Sequence, residues 1–292
     1  MEIEFYPYDF EYQVDGGMTY FYFFAKQGNG QKIVVKHLYQ PYFYVSLEGV
    51  DISLLTQKLK GLVVDSAAVT AWEEVEKELV GKKKQFYKVF VNYPKAVPVI
   101  SKKLQSWGVE CYETDILFVH RYLRDHALLP MSLITAQGAF VDEHEFKVPL
   151  FVAESVAQKD TTTKEEWKIL AVDIETYSVR KEIDARANPI LMIALRGKDY
   201  QKVITWKKFS HDLDYLEIVA DETAMLERFK EIILEHQPDI LTGYFSDGFD
   251  LPYIKTRAEK HNVRLNLGVD DSELVVVSKT GSRSGQKSPQ PS

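Results

Sequence analysis

The feature that most constrains the fold is a short apolar run that ends in two acidic residues two positions apart. Lys168–Val172 (KILAV) is the near-continuous apolar run expected of a central strand that is buried on both faces. Residues i and i+2 of a strand point to the same side, so Asp173 and Glu175 should converge on one point while Ile174 packs behind them. The chain therefore has to build a sheet around this strand.

The segments that follow predict the rest of a strand-and-helix unit. Glu222–His236 is the clearest helix, because its apolar residues form one stripe and Asp221 can cap its N terminus. The other predicted elements are strands at Ile190–Leu195, Lys202–Trp206 and Asp239–Gly243 and a helix at Pro252–His261.

Residues 1–130 predict a smaller unit of strands and helices. A Gly28-Asn29-Gly30 turn indicates a hairpin between the first two predicted strands, and the third is expected to continue the same sheet. Asp51 is a plausible N-cap for the first helix and Gly61 a plausible stop, and Pro94 is expected at the first position of the second helix. The predicted strands are Met18–Ala25, Lys32–Leu38, Tyr42–Leu47 and Gln85–Asn92, and the helices are Asp51–Lys60 and Pro94–Trp107.

These patterns predict a mixed α/β (α+β) fold with four segments. Residues 1–130 form the first domain, 131–166 a connector, 167–277 the second domain and 278–292 a tail. The connector prediction depends on the polar stretch QKDTTTKEEW at 158–167. The tail has almost no apolar content, so we expect it to be disordered.

Composition limits the kind of partner and compartment. The formal net charge is −7, so any contact with DNA has to be local, through a patch or through metal ions that offset acidic residues. The aromatic content of 13% is high, and the rings either stack on bases or pack in a core. Cys111 is the only cysteine, which excludes an internal disulfide and a cysteine-based zinc site. With no run of 18 apolar residues and no signal-peptide pattern, we expect no membrane contact and a cytoplasmic location.

The acidic residues predict a site for a hard divalent cation. Two neighbouring carboxylates repel each other unless a positive charge lies between them, and Mg²⁺ or Mn²⁺ prefers oxygen ligands. Asp250, at a strand-to-helix junction, could join Asp173 and Glu175, and two ions roughly 4 Å apart can hydrolyse a phosphodiester. The alternatives are that Asp173 and Glu175 are a solvated strand end and that Asp250 caps the helix opened by Pro252.

Two segments around these carboxylates resemble the first and second exonuclease motifs of B-family DNA polymerases. They are ILAVDIET and ILTGYFSDGFDLPYIKTRAEK. The resemblance implies a ribonuclease-H-like fold, a mixed sheet flanked by helices, that binds two metal ions and removes a mispaired 3′ nucleotide from single-stranded DNA. It implies that Asp173, Glu175 and Asp250 are catalytic metal ligands, and that Tyr244, Phe245 and Phe249 contact the substrate.

The chain departs from the family's pattern at two places. Phe245 stands where the family has Asn after the Tyr of the second motif, a residue that helps to position substrate. The third motif, a Tyr and an Asp on a later helix, is missing, because LNLGVDDSEL is followed by the polar tail. A fourth metal ligand and the palm, fingers and thumb are therefore absent from this sequence. We expect a truncated or split chain with little exonuclease activity of its own.

The resemblance extends to the N-terminal domain of archaeal B-family polymerases through QPYFYV, YPKAVPVI and ETDILFVHRYLRDHALLP. In that family a shallow pocket captures uracil in the template strand. An apolar wall that excludes the thymine methyl can discriminate between the two bases. The alternative is that Pro41, Tyr42 and Phe118 are ordinary core residues. The resemblance places the pocket at Tyr12, Pro41, Tyr42, Pro94, Val97, Ile116, Phe118 and Arg121.

Three functions follow from these patterns. The first is a part of a DNA polymerase that acts on single-stranded template and primer DNA together with a C-terminal polymerase fragment or the rest of a longer chain. The second is a non-catalytic module that binds single-stranded or uracil-containing DNA. The third is a standalone 3′ exonuclease that takes its fourth ligand from Asp270, Asp271 or Glu273.

Overall fold

The structure is a computed structural model, and it describes residues 1–142, 145–162, 165–178 and 183–276. The predicted tail at 278–292 lies outside the described residues. The described residues divide into two units, of which the first takes most of residues 1–165 and the second takes 145–147 and most of the chain from 166 onward.

The first unit contains ten strands and three helices within the described residues. In chain order they are β1 (Glu2–Asp15), β2 (Met18–Lys26), β3 (Lys32–Leu38), β4 (Tyr42–Ser46), α1 (Ile52–Leu59), β5 (Val63–Val64), β6 (Ala67–Leu79), β7 (Lys82–Val91), α2 (Ala96–Gln105), β8 (Cys111–Tyr112), α3 (Phe118–Asp125), β9 (Leu133–Val141) and β10 (Leu150–Asp160).

Five strands of this unit close into a barrel in the order β1-β2-β3-β10-β9. β1 closes it by pairing with β9 in antiparallel register, Glu2 opposite Gln137. The interior is aromatic: Phe21 and Phe23 of β2 are fully buried, and the ring of Phe21 stacks on Tyr122 of α3 with centroids 3.7 Å apart. The helix α3 is therefore held against the barrel by ring stacking.

The remaining strands form a second sheet in the order β5-β6-β7-β4-β8. Its apolar core contains residues of α1 and α2, among them Leu55 and Ile100. The predicted placement of Tyr42–Leu47 in the same sheet as the N-terminal hairpin is therefore wrong, because an apolar pattern identifies a strand but not its partner. The expected helix start at Pro94 is also wrong, since α2 begins at Ala96 after Lys95.

The segment 131–166, predicted as a connector, contains two barrel strands instead. β9 and β10 pair with each other, and β10 also pairs in parallel with β3. The end of β10 is polar because it contains exposed residues that lie outside the apolar core, among them Glu154, Ser155 and Lys159. The polar residues of this segment therefore belong to the exposed part of a strand, and the prediction of a linker here is wrong.

The second unit is a mixed sheet with two helices. Its elements are β11 (Ile169–Thr176), β12 (Ile190–Arg196), β13 (Gln201–Thr205), β14 (Leu216–Ile218), α4 (Glu222–His236), β15 (Ile240–Thr242) and α5 (Asp250–Lys260). The sheet order is β14-β13-β12-β11-β15, with β11 antiparallel to β12 and parallel to β15. Every predicted element of this unit is present, and the mixed α/β fold class is confirmed.

Both helices of this unit pack on the sheet through apolar residues. Met225 and Phe229 of α4 and Ile254 of α5 are buried in one cluster with Leu170 and Val172 of β11. The predicted cap of α4 is confirmed, because the Asp221 carboxylate accepts a hydrogen bond from Ala224 N at 2.9 Å. No helix in the described part of the chain is long and apolar enough to cross a membrane.

Candidate functional site

The strand β11 presents its two carboxylates on one side. Leu170, Val172 and Ile174 are buried, while Asp173 and Glu175 are exposed, which is the alternation of a strand with one face in the core. β11 lies between β12 and β15 in the sheet, so the core fixes its orientation. The acidic pair therefore faces away from the core, as the spacing predicts.

Asp250 reaches this strand through a hydrogen bond. It is the first residue of α5, and its side chain is 3% exposed. Its Oδ1 accepts a hydrogen bond from the backbone N–H of Ile174 at 3.1 Å. The residue before it, Phe249, occupies the N-cap position and makes no side-chain cap. The alternative that Asp250 only caps the helix is therefore wrong.

The electrostatics of Asp250 favour a nearby positive charge. Burial raises the pKa of its carboxyl group, and the negative charge of Asp173 raises it further, while the Ile174 N–H opposes both effects. Asp173 and Asp250 thus repel each other at this edge of the sheet. A hard divalent cation would relieve that repulsion, and all the donors here are carboxylate oxygens, which such cations prefer.

The side chains are not placed as a finished metal cage. Among the described residues, no group of three or more His, Cys, Asp and Glu side chains is arranged to enclose an ion. The structure brings Asp250 to the strand that carries Asp173 and Glu175, through its hydrogen bond with the backbone N–H of Ile174. The donor chemistry fits Mg²⁺ or Mn²⁺, and Asp173, Glu175 and Asp250 are the residues that would hold such an ion.

The acidic residues considered as a fourth ligand are occupied elsewhere. Asp271 pairs with Lys147 at 2.8 Å and with Arg264 at 3.4 Å, and Glu273 pairs with Arg264 at 3.1 Å. Asp270 accepts a hydrogen bond from the backbone N–H of Ser272 at 3.0 Å. Each of these contacts would have to break or be shared before the side chain could bind a metal ion.

Close backbone contact sets the approach of β15 to β11. The two strands pair in parallel as far as Ala171 and Thr242. At the next position, Gly243, a Cβ atom would lie 2.4 Å from the carbonyl oxygen of Val172 and 3.0 Å from Cβ of Ser246. Only glycine fits without displacement, and the chain turns here toward α5 and Asp250.

An aromatic loop joins β15 to α5 beside these carboxylates. Tyr244 is 97% exposed, Phe245 61% and Phe249 36%. Phe245 has a φ of 58°, in the left-handed region where a bulky residue is disfavoured and Asn is tolerated. Its ring lies over Gly248, where a Cβ atom would come within 2.2 Å of a ring carbon. The loop therefore exposes large apolar area next to Asp250, at some cost in backbone strain.

The residues predicted for the uracil pocket are mostly buried. Those with little exposure are Pro41, Tyr42, Val97, Phe118 and Arg121, whereas Tyr12, Pro94 and Ile116 are half-buried. Tyr12 contacts Phe118 edge to face at 5.0 Å, and the guanidinium of Arg121 lies 4.3 Å from the centre of the Tyr42 ring.

These residues divide between two apolar clusters. Phe118 and Tyr12 belong to the barrel cluster, and Val97 belongs to the cluster between the second sheet and its helices. The structure therefore brings Tyr12 to Phe118 and Tyr42 to Arg121, and it places Val97 in another cluster.

Sequence reasoning missed the polar residues that hold the pocket residues in place. Asp125 accepts hydrogen bonds from the hydroxyl groups of both Tyr39 and Tyr42. Glu113 forms an ion pair with Arg121 at 2.8 Å. The available signal was helical spacing, because Asp125 lies four residues after Arg121 on α3, so both project to the same side.

Comparison with known proteins shows which family this chain resembles. The family model described as DNA polymerase family B, exonuclease domain, matches residues 109–288, a range that begins upstream of the acidic strand. The DNA polymerases of Pyrococcus glycovorans and Thermococcus sp. (strain 9oN-7) are each 32% identical over 271 residues, which is 91% of this chain and 30% of either relative. The chain thus spans about a third or less of the length of these relatives.

A solved structure shows the same fold. The family B DNA polymerase from the hyperthermophilic archaeon Pyrobaculum calidifontis is similar with a TM-score of 0.78 and 27% sequence identity. The match covers 93% of this chain and 34% of that one. Since the family model also matches more than half of the chain, the predicted family is confirmed. This chain belongs to DNA polymerase family B.

Proposed function

We propose that the chain is a DNA-binding part of a family B polymerase. Its second unit would contain a 3′→5′ proofreading exonuclease site, and its first unit would contain a site that recognises uracil in the template strand. Asp173, Glu175 and Asp250 are the residues that would hold Mg²⁺ or Mn²⁺. The observation that supports this most directly is the hydrogen bond from Ile174 N to Asp250, because it brings a third carboxylate to the strand that carries the other two.

The residues around this site have separate roles. A bound divalent cation would polarise the scissile phosphate and make water a better nucleophile. The Ile174 N–H holds Asp250 facing the strand, and Asp173 and Glu175 supply the remaining carboxylate oxygens. Tyr244, Phe245 and Phe249 offer exposed rings on which the bases of a single strand can stack.

The partners of the chain would be single-stranded template DNA, a primer 3′ end and the rest of a polymerase. The relatives are about three times as long, so nucleotide binding and nucleotidyl transfer would belong to parts of the enzyme outside the aligned region, on the same chain or on a second one. The formal charge of −7 makes a cation-dependent contact with DNA more favourable than a purely electrostatic one.

The exonuclease proposal is tested by metal titration. Calorimetry with Mn²⁺ on the parent and on Asp173→Ala and Asp250→Ala should give binding that both substitutions weaken at least tenfold. Asp247→Ala is the matched control, because Asp247 is exposed and lies three residues before Asp250. Equal isotherms for the parent and Asp250→Ala would remove Asp250 from the site.

Cleavage of a 5′-labelled single strand separates an enzyme part from a standalone nuclease. We expect little shortening by the chain alone and more when a C-terminal polymerase fragment is added. Strong cleavage by the chain alone that Asp173→Ala abolishes would favour the standalone nuclease. The ion pairs of Asp271 and Glu273 support the first outcome, since they occupy two of the possible fourth ligands.

Uracil recognition would use the half-buried members of the predicted pocket. Tyr12, Pro94 and Ile116 have accessible surface that a base could contact. Tyr42 and Phe118 are buried and would form the packed layer beneath the pocket. Exclusion of one methyl group is worth about 1–3 kcal/mol, or roughly tenfold to a hundredfold in affinity.

Fluorescence anisotropy with matched deoxyuridine and thymidine strands at two salt concentrations measures this preference. Salt should weaken both complexes and leave their ratio nearly unchanged. Uracil-selective binding without metal-dependent cleavage would favour the non-catalytic module. Equal affinities would leave the eight residues with a packing role only.

A further inference from the structure

A buried ion pair connects the two helices of the second unit. Glu222, at the start of α4, is 6% exposed, and Arg257, on α5, is 3% exposed. Arg257 Nε donates to Glu222 Oε1 at 2.7 Å, and a terminal nitrogen of Arg257 donates to Oε2 at 2.5 Å. This is the two-bond geometry that makes an arginine–carboxylate contact directional.

Both members of the pair also bind the segment that leads into β12. Glu222 Oε1 accepts a hydrogen bond from the backbone N–H of Ile190 at 2.8 Å. The second terminal nitrogen of Arg257 donates to the carbonyl oxygens of Ala185 and Arg186 at 3.1 and 3.2 Å. Burial of a charged pair is weak evidence for a gain in stability. The contacts of this pair instead connect α4 and α5 to the backbone at 185–190.

The segment and the helix held in this way carry the candidate carboxylates. Ile190 lies opposite Thr176, the residue after Glu175, at an irregularity in the pairing of β11 with β12. Arg257 lies seven residues after Asp250 on α5, two helical turns along the same side. One ion pair therefore fixes the strand end beside Glu175 and the helix that begins with Asp250.

We propose that Glu222 and Arg257 are positioning residues that set the placement of Asp250 and Glu175 relative to each other. The inference rests on the proposed exonuclease function, because it assigns the pair to that site. Neither residue is among the proposed metal ligands, and both would act through the backbone of 185–190 and through α5.

The test compares Arg257→Met and Glu222→Gln with two controls. Arg228→Met removes an arginine of α4 that pairs with Glu217 of β14. Ile232→Ala loosens the core of α4, where Ile232 is buried, without removing a polar contact. The readouts are the amide resonance of Ile174, which reports the hydrogen bond to Asp250 without metal, and Mn²⁺ affinity by calorimetry.

We expect Arg257→Met and Glu222→Gln to shift the Ile174 amide and to weaken Mn²⁺ binding about tenfold to a hundredfold. Arg257→Lys keeps one charged contact and should restore part of both signals. Arg228→Met and Ile232→Ala should leave both readouts near those of the parent.

Two outcomes would overturn the inference in distinguishable ways. If Ile232→Ala, at equal loss of thermal stability, weakened Mn²⁺ binding as much as Arg257→Met, the pair would have only a structural role. The same conclusion would follow if the amide resonance of Ile174 did not shift in either Arg257→Met or Glu222→Gln. If the parent itself bound no Mn²⁺ through Asp250, the proposed function would fall, and the inference with it.

Discussion

The carboxylate of Asp250 accepts a hydrogen bond from the backbone N–H of Ile174, 76 residues earlier in the chain, at 3.1 Å. Ile174 lies between Asp173 and Glu175, and its own side chain is buried. A backbone group thus holds a nearly buried carboxylate beside an exposed acidic pair. In the metal-free protein the charges of Asp250 and Asp173 repel each other. The effect of this repulsion on the free energy of unfolding can be measured.

Replacing Asp250 with Asn should stabilise the metal-free chain. Asn keeps an oxygen acceptor for the Ile174 N–H and removes a charge whose pKa is raised by burial and by Asp173. A carboxyl group with a raised pKa contributes stability below its unfolded pKa and loses it as pH rises through its folded pKa. At pH 7 that contribution is gone, so the variant should unfold at a higher Tm than the parent. Thermal unfolding with EDTA measures this gain, and Mn²⁺ should stabilise the parent more than the variant. A lower Tm for the variant in EDTA would contradict the repulsion.

Phe245→Asn should also raise stability, for a different reason. Phe245 has a φ of 58°, and the left-handed conformation costs a bulky residue about 1–2 kcal/mol, less for Asn. The ring is 61% exposed, so little burial is lost. We expect a gain of about 0.5–1 kcal/mol in urea unfolding. Tyr244→Asn is the control, since Tyr244 has no positive φ and is 97% exposed; a similar gain there would mean that strain at Phe245 is not the cause.

The first unit should lose stability in mild acid through His37. Burial lowers the pKa of His37 to about 4, with a further contribution from His126, and its Nδ1 lies 2.5 Å from the hydroxyl oxygen of Tyr122. Because the unfolded state takes up a proton near the ordinary value of 6.5 and the folded state does not, stability should fall as pH drops from 6.5 to about 4. The loss should be up to about 2–3 kcal/mol. His37→Gln should reduce this slope and exposed His211→Gln should not, as urea unfolding at several pH values would measure.

Most of the second unit was predictable from sequence because its apolar residues follow strand and helix periods closely, although β14 was not predicted. Lys168–Val172 and Glu222–His236 each show one pattern without interruption, and each is present as β11 and α4. β6 was missed because its outer residues are charged: Glu76 pairs with Lys83 at 2.8 Å and Glu73 with Lys88 at 3.5 Å across the hairpin. Such a strand is held by its neighbour and by cross-strand pairs, which a single segment does not reveal.

The candidate site was predictable only to the level of residue type and strand face. The i, i+2 rule gave the common face of Asp173 and Glu175. The contact of Asp250 with Ile174 joins residues far apart in sequence, and the Glu222–Arg257 pair joins two helices. Contacts of this kind depend on how the elements pack, so periodicity carries no information about them.

Gly243→Ala should show how tightly the fold and the candidate site are coupled. A Cβ atom at position 243 would lie 2.4 Å from the Val172 carbonyl oxygen, so β11 and β15 would have to move apart immediately before Asp173. Such overpacking costs about 1–3 kcal/mol.

Gly197→Ala is the matched control, because the nearest atom there would be 3.4 Å away and the change should cost no more than about 0.5 kcal/mol. Because the displaced strand carries Asp173, Mn²⁺ binding should weaken in Gly243→Ala and remain at the parent level in Gly197→Ala. Urea unfolding measures the stability of the two variants, and calorimetry measures their Mn²⁺ binding. If Gly243→Ala and Gly197→Ala were equally stable, β11 and β15 would separate at this point without a cost in free energy.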